Sequence, residues 1–531
     1  MKRKEKIAAA VMILGVIACA VGVSVGMYRE KAEDKETQAD DQKQQLQKEE
    51  IRKIYNTDSQ EEIREELDDK KEEKEYSESD MLVEYNPFGT NTLSLYVYFE
   101  SEQAENVSCT IHVEDETIPD YTQQLTEDGS YVTEHEYQVL GLVPDHQNEI
   151  IFTFSLPDGS SYQETITYDM GSLMGTEETV LKSQDGTSEE ELENGLYVIL
   201  ENDSSGLDFM YYYDNNGVIR GEVPIIGYRS HRILFDDDNM YYSISETRMA
   251  QMDELGQITQ VYDLGQYELH HDYVFDDAGN ILILASDTGQ DSVEDIILRL
   301  DTEDGTVEEV LDLEDLFGSY KESCTENSDG ELDWMHINTI QWMGEEEILL
   351  SSRETSSIIK IGDIYGSPQI DYIISDPAVW ENTDYSSYVL EKDGDFPSQA
   401  GQHSITYVED SSLPEGQYYI YMFNNNIGVS ETRPEFDWTV IPGVQDSASD
   451  GTASYFYKYL VDEEKGTYQL TERFELPYSG YVSSVQEIGN NIVADSGMQG
   501  VFGEYDSSGE LIRSFTMEKE SFIYRVYKYN L

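Results

Sequence analysis

Residues 270–300 read HHDYVFDDAGNILILASDTGQDSVEDIILRL and carry the pattern from which the architecture follows. Two apolar runs, Asn280–Ser286 and Ile296–Leu300, are short and rich in Ile and Leu. An Asp-Asp-Ala-Gly turn at Asp276–Gly279 precedes the first run, and its glycine supplies the positive φ that a tight hairpin needs. This stretch therefore predicts neighbouring antiparallel strands joined by short turns.

The same alternation of strand and turn extends from residue 176 to residue 531. Further strand-like runs include Gly195–Leu200, Phe209–Tyr213, Glu347–Ser352, Tyr418–Phe423 and Phe522–Tyr529. About 350 residues divided into blades of roughly 40–50 predict a β-propeller of about seven to nine blades, or six if some blades carry long loops. A propeller closes into a ring and brings residues from distant parts of the chain to a central funnel.

A smaller β domain is predicted ahead of the propeller, over residues 81–175. Its strand-like runs are Leu93–Phe99, Val107–Val113, Tyr131–Val139, Ile150–Leu156 and Tyr162–Tyr168. Several short, half-buried strands within about 90 residues are typical of an Ig-like β-sandwich. The folded part is therefore predicted to be all-β, in line with 40 tyrosines and 11% aromatic content.

The charge balance is strongly acidic, with 110 Asp and Glu against 33 Lys and Arg and a formal net charge of −77. Such a surface repels nucleic-acid phosphates, which argues against a nucleic-acid partner. An anionic substrate must therefore meet a local positive pocket. The three cysteines, Cys19, Cys109 and Cys324, lack metal-binding spacing and predict neither a disulfide scaffold nor a cysteine metal site.

The N-terminus predicts a membrane anchor over residues 1–27. A basic cluster at residues 2–6 precedes the uncharged run Ile7–Met27, which as a helix would span about 30 Å, the thickness of a bilayer core. The basic cluster predicts a cytoplasmic tip and a catalytic domain on the outer face of the cell membrane. Val16–Cys19 resembles a lipoprotein box, so lipidation of Cys19 is the alternative anchor.

Residues 28–80 predict a charged stalk. Glu, Lys, Asp, Gln and Arg dominate it, and apolar positions such as Leu46, Ile51 and Ile63 recur too sparsely for a sustained heptad seam. A solvated stalk with transient helix is the favoured interpretation, and a coiled coil that would give a homodimer is the alternative. We therefore expect a chain beginning near Met81 to fold and to keep its activity.

Three polar islands beside strand-like runs hold four of the eight histidines. They are His270-His271-Asp272, Asp333–Asn338 and Gly401-Gln402-His403, and a fourth island, Ser351-Ser352-Arg353, follows the second. A cluster of imidazoles with one guanidinium predicts a site that handles an anion. The other histidines, His112, His135, His146 and His231, are interpreted as structural or surface residues.

Together with Asn86–Leu93 (NPFGTNTL), these islands resemble the bacterial aryl-sulfate sulfotransferases over about Met81 to Leu531. The most specific part is His336-Ile337-Asn338 followed by Ser351-Ser352-Arg353. The resemblance implies a small sandwich joined to a six-bladed propeller. It also implies transfer of a sulfuryl group from a phenolic sulfate ester to another phenol, with no nucleotide sulfate donor, no cofactor and no metal.

The resemblance also implies roles for individual residues. His403 matches the histidine that becomes transiently sulfated. His271 is favoured over His270 because the related pattern has a histidine directly before the acidic residue. The predicted catalytic residues are His403, His336, Arg353 and His271, and the predicted substrate-binding residues are Asn338, His270 and Trp334, the last as either a core residue or a wall that stacks on a phenol ring.

The chemistry of these residue types fits a sulfate ester. An Arg fork and imidazole N–H groups suit its terminal oxygens, and a neutral imidazole is a competent nucleophile near neutral pH. A second histidine can give a proton to the departing phenolate and take one from the incoming phenol.

The sequence departs from the family pattern at two places. Glu354-Thr355 stands where His-Gln is common, and Asn424–Asn426 replaces an Asp-Asn-Gly type of turn. The family's disulfide near the site has no evident counterpart. Two other functions stay open: a propeller that binds sulfated or phenolic ligands without turnover, and an aryl sulfate hydrolase.

Overall fold

A computed structural model describes residues 43–200, 206–236, 239–447 and 452–531. The chain divides into two compact units, 1–53 and 54–531, and the first is described only from residue 43, where it is helical. Among the residues described, no helix is long and apolar enough to cross a membrane. The predicted anchor Ile7–Met27 and Cys19 lie outside the described residues.

The sandwich domain is built on one long, bent strand. Its strands are β1 (Leu82–Tyr85), β2 (Leu95–His112), β3 (Tyr121–Gln124), β4 (Val132–Val139), β5 (Gln147–Ser155) and β6 (Ser161–Asp169). The first part of β2 pairs with β1 and β4, and after a register shift between Glu100 and Glu105 its second part pairs with β3 and β5. The two halves of β2 thus contribute to both layers, which enclose the buried rings of Phe99, Phe152 and Phe154.

The strands that follow make the larger part of the second unit. They are β7 (Lys182–Asp185), β8 (Leu196–Ile199), β9 (Asp208–Tyr213), β10 (Ile219–Ile225), β11 (Leu234–Phe235), β12 (Asn239–Ser245), β13 (Arg248–Asp253), β14 (Ile258–Asp263), β15 (Tyr267–Phe275), β16 (Ile281–Asp287), β17 (Ile296–Leu300), β18 (Val307–Asp312), β19 (Ile337–Gly344), β20 (Glu347–Ser352), β21 (Ser357–Gly362), β22 (Gln369–Ile374), β23 (Glu391–Lys392), β24 (His403–Val408), β25 (Gln417–Asn424), β26 (Ser454–Asp462), β27 (Thr467–Leu476), β28 (Ser484–Ile488), β29 (Asn491–Ser496), β30 (Val501–Asp506), β31 (Leu511–Thr516) and β32 (Val526–Tyr529). The helices of this unit are α1 (Thr57–Glu72), α2 (Glu314–Lys321) and α3 (Pro377–Trp380), with 3₁₀ turns at Ser386–Tyr388, Trp438–Val440 and Gly497–Gln499.

Within the described residues, β7–β32 form six sheets of four or five strands, nearly all antiparallel. The inner strands β15, β19, β24, β28 and β32 contact one another in succession, which is the arrangement of a six-bladed β-propeller. This count agrees with the one that the family resemblance implies and not with the seven to nine blades that repeat length favours, because long connections such as 313–336 take up chain between strands.

The ring is closed by exchange of strands between the two ends of the propeller. The C-terminal strand β32 is the inner strand of the first sheet beside β8, and β7 is the outer strand of the last sheet beside β31. Lys528 Nζ donates to Glu504 Oε2 at 2.8 Å, and both side chains are fully buried. A buried ion pair of this kind ties the first sheet to the last, so the closure depends on residues far apart in sequence.

Helix α1 packs onto the folded domains and does not stand free in solvent. The Asn56 side chain caps it by accepting a hydrogen bond from Ser59 N at 2.8 Å. Gln60 is buried, and its amide donates to the Phe88 carbonyl of the sandwich at 2.9 Å and accepts from Ile258 N of β14 at 3.2 Å. Leu67 is also buried, in the sandwich core. The expectation of a solvated stalk over residues 28–80 is therefore wrong for α1.

A chain that begins at residue 81 is expected to be less stable than one that begins at residue 54. It loses the burial of Leu67 and leaves the Phe88 carbonyl and Ile258 N without Gln60, which together cost at least about 2 kcal/mol. Urea unfolding of the two truncated chains measures the difference. Equal midpoints would show that α1 contributes nothing to the fold.

The Asn86–Leu93 segment joins the sandwich to the propeller. Thr90 Oγ1 donates to the Gly256 carbonyl at 2.6 Å, and Asn91 Oδ1 accepts from Glu222 N at 3.2 Å. The Thr92 hydroxyl donates to the buried Glu222 carboxylate. The segment therefore fastens the sandwich to the propeller, although it carries none of the predicted site residues.

Candidate active site

Strand register brings the polar islands to one end of the propeller. In an antiparallel pair, the start of one strand lies beside the end of the next. Ile337 pairs with Ser352, so His336 and Arg353 are neighbours, and Arg353 N donates to the His336 carbonyl at 3.1 Å. His403 pairs with Phe423, which places Asn425 beside it.

Three residues with left-handed backbone angles lie within or directly before inner strands of the propeller. The φ angles of His271, His336 and Ser404 are 56°, 47° and 54°. Such angles cost a non-glycine residue about 1–3 kcal/mol and coincide here with register shifts in β15, β19 and β24. The shifts break the alternation of side chains, so consecutive residues need not lie on opposite faces of the sheet.

His403 is buried with one ring nitrogen fixed by the protein. Its Nδ1 lies 3.0 Å from the Gly401 carbonyl and 2.8 Å from Asn425 Oδ1. The Asn425 amide nitrogen donates to two backbone carbonyls, Ser479 and Val482, so its oxygen must face His403. Both neighbours of Nδ1 are therefore acceptors, which places the ring proton on Nδ1 and leaves the lone pair on Nε2.

The electrostatic surroundings keep His403 neutral. Burial holds the pKa of His403 well below its ordinary value, and the nearby Arg353, His336 and His271 lower it further. No hydrogen-bond partner of Nε2 occurs among the residues described. His403 is thus a neutral imidazole with a free lone pair on Nε2, close to the positively charged Arg353 and His336.

Arg353 lines a cavity of about 270 Å³ next to the His403 loop. The other lining residues are Gly401, Ile427, Val429, Tyr478, Gly480, Tyr481 and Met498, so the walls are mainly apolar and aromatic. No carboxylate within the described residues forms an ion pair with the Arg353 guanidinium. An unpaired guanidinium at an apolar cavity suits a small anion attached to a ring.

Two carboxylates surround His336. Its Nδ1 lies 2.5 Å from Asp333 Oδ2 and 2.9 Å from Glu294 Oε2. Burial alone would lower the pKa of His336, but Asp333 and Glu294 raise it to about 10. Burial in turn raises the pKa of Asp333 to about 6. His336 is therefore an imidazolium at neutral pH, with Nε2–H left as the donor on the opposite side of the ring.

His271 is held between two partners. Its Nδ1 lies 2.8 Å from the Tyr524 hydroxyl and its Nε2 lies 3.1 Å from both Glu294 oxygens. Burial lowers the pKa of His271 to about 3, so the ring is neutral. A direct contact with substrate would require one of these two bonds to break, and His271 instead packs against His336 with ring centroids 4.9 Å apart.

Family models match both domains. The model described as Arylsulfotransferase (ASST) matches residues 181–528, and the model described as Arylsulfotransferase Ig-like domain matches residues 82–171. The chain belongs to the arylsulfotransferase family. The resemblance that the polar islands carry is therefore confirmed, and the family supports aryl sulfotransferase activity in general terms.

Comparisons with curated proteins and with solved structures say little more about this arylsulfotransferase. No curated protein matches the chain. A protein of unknown function from Bacteroides caccae is 11% identical with a TM-score of 0.35, covering 63% of this chain and 98% of its own. The WD40 domain of Toxoplasma gondii coronin is 7% identical with a TM-score of 0.33, covering 64% and 76%. The propeller assignment rests on the strand pairing itself.

Sequence reasoning missed several residues that contact the predicted site residues. Glu294 and Tyr524 both bond to His271, and nothing near them in sequence marks them as functional. His231, interpreted as structural or surface, is fully buried beside His271 and Tyr524, and its ring nitrogens have no hydrogen-bond partner among the described residues. Asn425 lies in the Asn424–Asn426 departure from the family pattern, which was the one available signal.

The other predicted substrate-binding residues lie beside the site or outside it. Asn338 is buried and donates to the Gln402 carbonyl at 2.9 Å, directly before His403. Trp334 is not a pocket wall, because its ring is fully buried in the core and its Nε1–H donates to Asp295 at 2.7 Å. His270 is buried beside His271, and burial lowers its pKa while Glu294 and the Ala285 carbonyl offset only part of the effect.

Metal-ligating side chains also gather here. Two sets of groups have donor atoms within 4.8 Å of one another, His270–His271–Glu294 and Glu294–Asp333–His336. The cysteines take no part, since Cys109 and Cys324 are free thiols elsewhere in the described chain.

Arg232, Asp272 and Arg525 form a network of charged side chains, the charge pillar, beside the predicted site residues. The Asp272 carboxylate accepts from Arg232 Nε at 2.9 Å, from Arg525 Nη1 at 2.8 Å and from Ile340 N at 3.2 Å. Arg525 also donates to the Asn338 carbonyl at 3.2 Å. The pillar thus links β15, β19 and the segment before β32 directly behind His271 and Asn338.

Asp272→Asn is expected to destabilise the propeller by about 3–5 kcal/mol, because it leaves two buried guanidinium groups with a neutral partner. Urea unfolding measures the loss. The matched control is Asp263→Asn, whose exposed pair with Arg248 at 3.7 Å is worth no more than about 1 kcal/mol. Equal midpoints for the two variants would contradict the role of the pillar.

Proposed function

We propose that this arylsulfotransferase moves a sulfuryl group from a phenolic sulfate ester to another phenol through a sulfated His403. The observation that carries the proposal is a neutral His403, whose proton is fixed on Nδ1, close enough to Arg353 for that guanidinium to lower its pKa. Arg353 lines an apolar cavity and has no ion-pair partner among the described residues. The cavity, at about 270 Å³, favours a small aryl ester over a large one.

In the first step, the Nε2 lone pair of His403 attacks sulfur. The S–O bond to the aryl group breaks, and its electron pair stays on the phenolate oxygen. His336 supplies the proton that converts the phenolate to phenol, while Arg353 binds the sulfuryl oxygens. The products are an N-sulfated His403 and a free phenol.

In the second step, the acceptor phenol gives its proton to His336 and its oxygen attacks sulfur. The S–N bond breaks, and its electron pair returns to Nε2 of His403. Asn425 keeps the other ring nitrogen protonated throughout, so the same tautomer of His403 is restored. This sequence predicts ping-pong kinetics.

One assay separates this proposal from the two alternatives. A chromogenic aryl sulfate is supplied to the full-length protein with and without a second phenol. Release of the coloured phenol that the second phenol stimulates supports a transferase. Release that the second phenol leaves unchanged, with free sulfate as product, would identify a hydrolase, and no release with retained binding would identify a binding protein. Attachment to the outer face of the membrane stays a prediction.

A further inference from the structure

Two consecutive histidines and a glutamate form a three-sided cluster beside the proposed catalytic residues. Alternation along a strand would send His270 and His271 to opposite faces. The positive φ of His271 and the register shift between Leu269 and Tyr273 bring them together instead, with ring centroids 5.2 Å apart. Their donor atoms and a Glu294 oxygen lie within 4.8 Å of one another.

His270 has no role in the proposed sulfuryl transfer, and the Ala285 carbonyl near its ring makes no hydrogen bond of good geometry to it. His270 is 5% exposed, and neither ring nitrogen forms a hydrogen bond with the described residues. A buried polar group without a partner costs about 1–3 kcal/mol. A ligand that accepts the lone pair of this imidazole would remove that cost.

The neighbouring groups match the usual surroundings of a metal site. His271 Nε2 faces Glu294 at 3.1 Å, while its Nδ1 bonds to the Tyr524 hydroxyl, as a ligating histidine bonds through its second nitrogen. Glu294 also contacts His336, whose Nδ1 lies 2.9 Å from Glu294 Oε2 and 2.5 Å from Asp333 Oδ2. Tetrahedral zinc ligands lie about 3.4 Å apart, close to the 3.1 Å between His271 Nε2 and Glu294.

We propose that His270, His271 and Glu294 bind one divalent transition-metal ion of the zinc class. Two imidazoles and one carboxylate are nitrogen and oxygen donors that suit zinc better than magnesium or calcium, which prefer oxygen ligands alone. Three protein ligands leave a fourth position open to water or a small anion. Neither His336, which contacts Glu294, nor Asp333, which contacts His336, is a ligand in this site, and metal binding does not require sulfuryl transfer.

The test is metal binding by the purified, metal-free, full-length chain. Titration with Zn²⁺ by calorimetry, in excess Mg²⁺ to block exposed carboxylates, is expected to give one site per chain. Titration with Co²⁺ is expected to give visible d–d bands of a four-coordinate ion with nitrogen ligands. His270→Ala and Glu294→Gln are each expected to weaken binding by about 100-fold or more, as the loss of a ligand exceeds the loss of a supporting hydrogen bond.

His231→Ala is the matched control, since it removes a buried histidine that lies outside the donor set and has no hydrogen-bond partner among the described residues. It is expected to keep the wild-type affinity, and near-ultraviolet circular dichroism checks that all variants are folded. The proposal is overturned if the wild-type chain binds only weakly and without saturation, if both ligand variants bind as the wild type does, or if His231→Ala loses binding equally. Loss on Asp333→Ala with no loss on His270→Ala would also overturn it in favour of the second donor set.

Discussion

His403→Ala is expected to lower aryl sulfate turnover by about 10⁴-fold or more, because the variant has no nucleophile to form the covalent intermediate. In the wild-type chain, donor alone should leave a sulfuryl group on His403, and a phenol acceptor should remove it. Intact-mass spectrometry after brief exposure to donor, followed by peptide mapping, measures both events. The adduct is expected on the peptide that contains His403 and is expected to be absent from the variant.

The control for this prediction is His112→Ala. His112 lies on β2 of the sandwich, where its Nδ1 contacts Asp120 at 2.7 Å with both side chains largely exposed. Its removal is expected to leave turnover unchanged and stability within about 0.5 kcal/mol. Full turnover in a folded His403→Ala chain, or an adduct that maps to a different histidine, would overturn the assignment of the nucleophile.

Arg353→Ala is expected to lower kcat by about 10²–10³-fold. The guanidinium is the charged donor available to the sulfuryl oxygens at the cavity, and loss of such a donor typically costs about 3–4 kcal/mol of transition-state stabilisation. Arg353→Lys is expected to recover part of the rate, since an ammonium keeps the charge but not the planar fork. Steady-state kinetics with a chromogenic donor measure these changes.

Arg248→Ala provides the comparison, because Arg248 is half exposed on β13 and its one ion pair among the described residues is with Asp263. Its turnover is expected to match that of the wild-type chain. If Arg353→Ala retains kcat and changes only KM, the guanidinium binds the ester in the ground state and gives no selective help to the transition state.

Local patterns predicted many strands well. Ile296–Leu300 and Glu347–Ser352 were predicted with the bounds that β17 and β20 have in the structure. Both are apolar runs in the interior of a sheet, where propensity, burial and turn chemistry agree. The weakly amphipathic helix α1 was expected to be solvated, because the two buried side chains that dock it, Gln60 and Leu67, do not form a continuous apolar stripe.

The site was predictable only where functional residues occur in local groups. His336, Asn338 and Arg353 stand close together in sequence and form a recognisable motif. Glu294 and His231 have no such marker. Their meaning comes from contacts between blades, of Glu294 with His336 and of His231 with His271 and Tyr524. Trp334 shows the reverse, since it belongs to a motif segment but packs in the core.

By itself the sequence determined the all-β class, the acidic character of the molecule and the family, and the resemblance to that family makes His403 the candidate nucleophile. These follow from composition, turn residues and short motifs, all of which are local in the chain. Only the tertiary structure decided that α1 docks on the domains, that Asn425 sets the tautomer of His403, and that His270, His271 and Glu294 meet. Ring closure and strand register produce those features, and both depend on contacts between residues hundreds of positions apart, whose free energies no local segment contains.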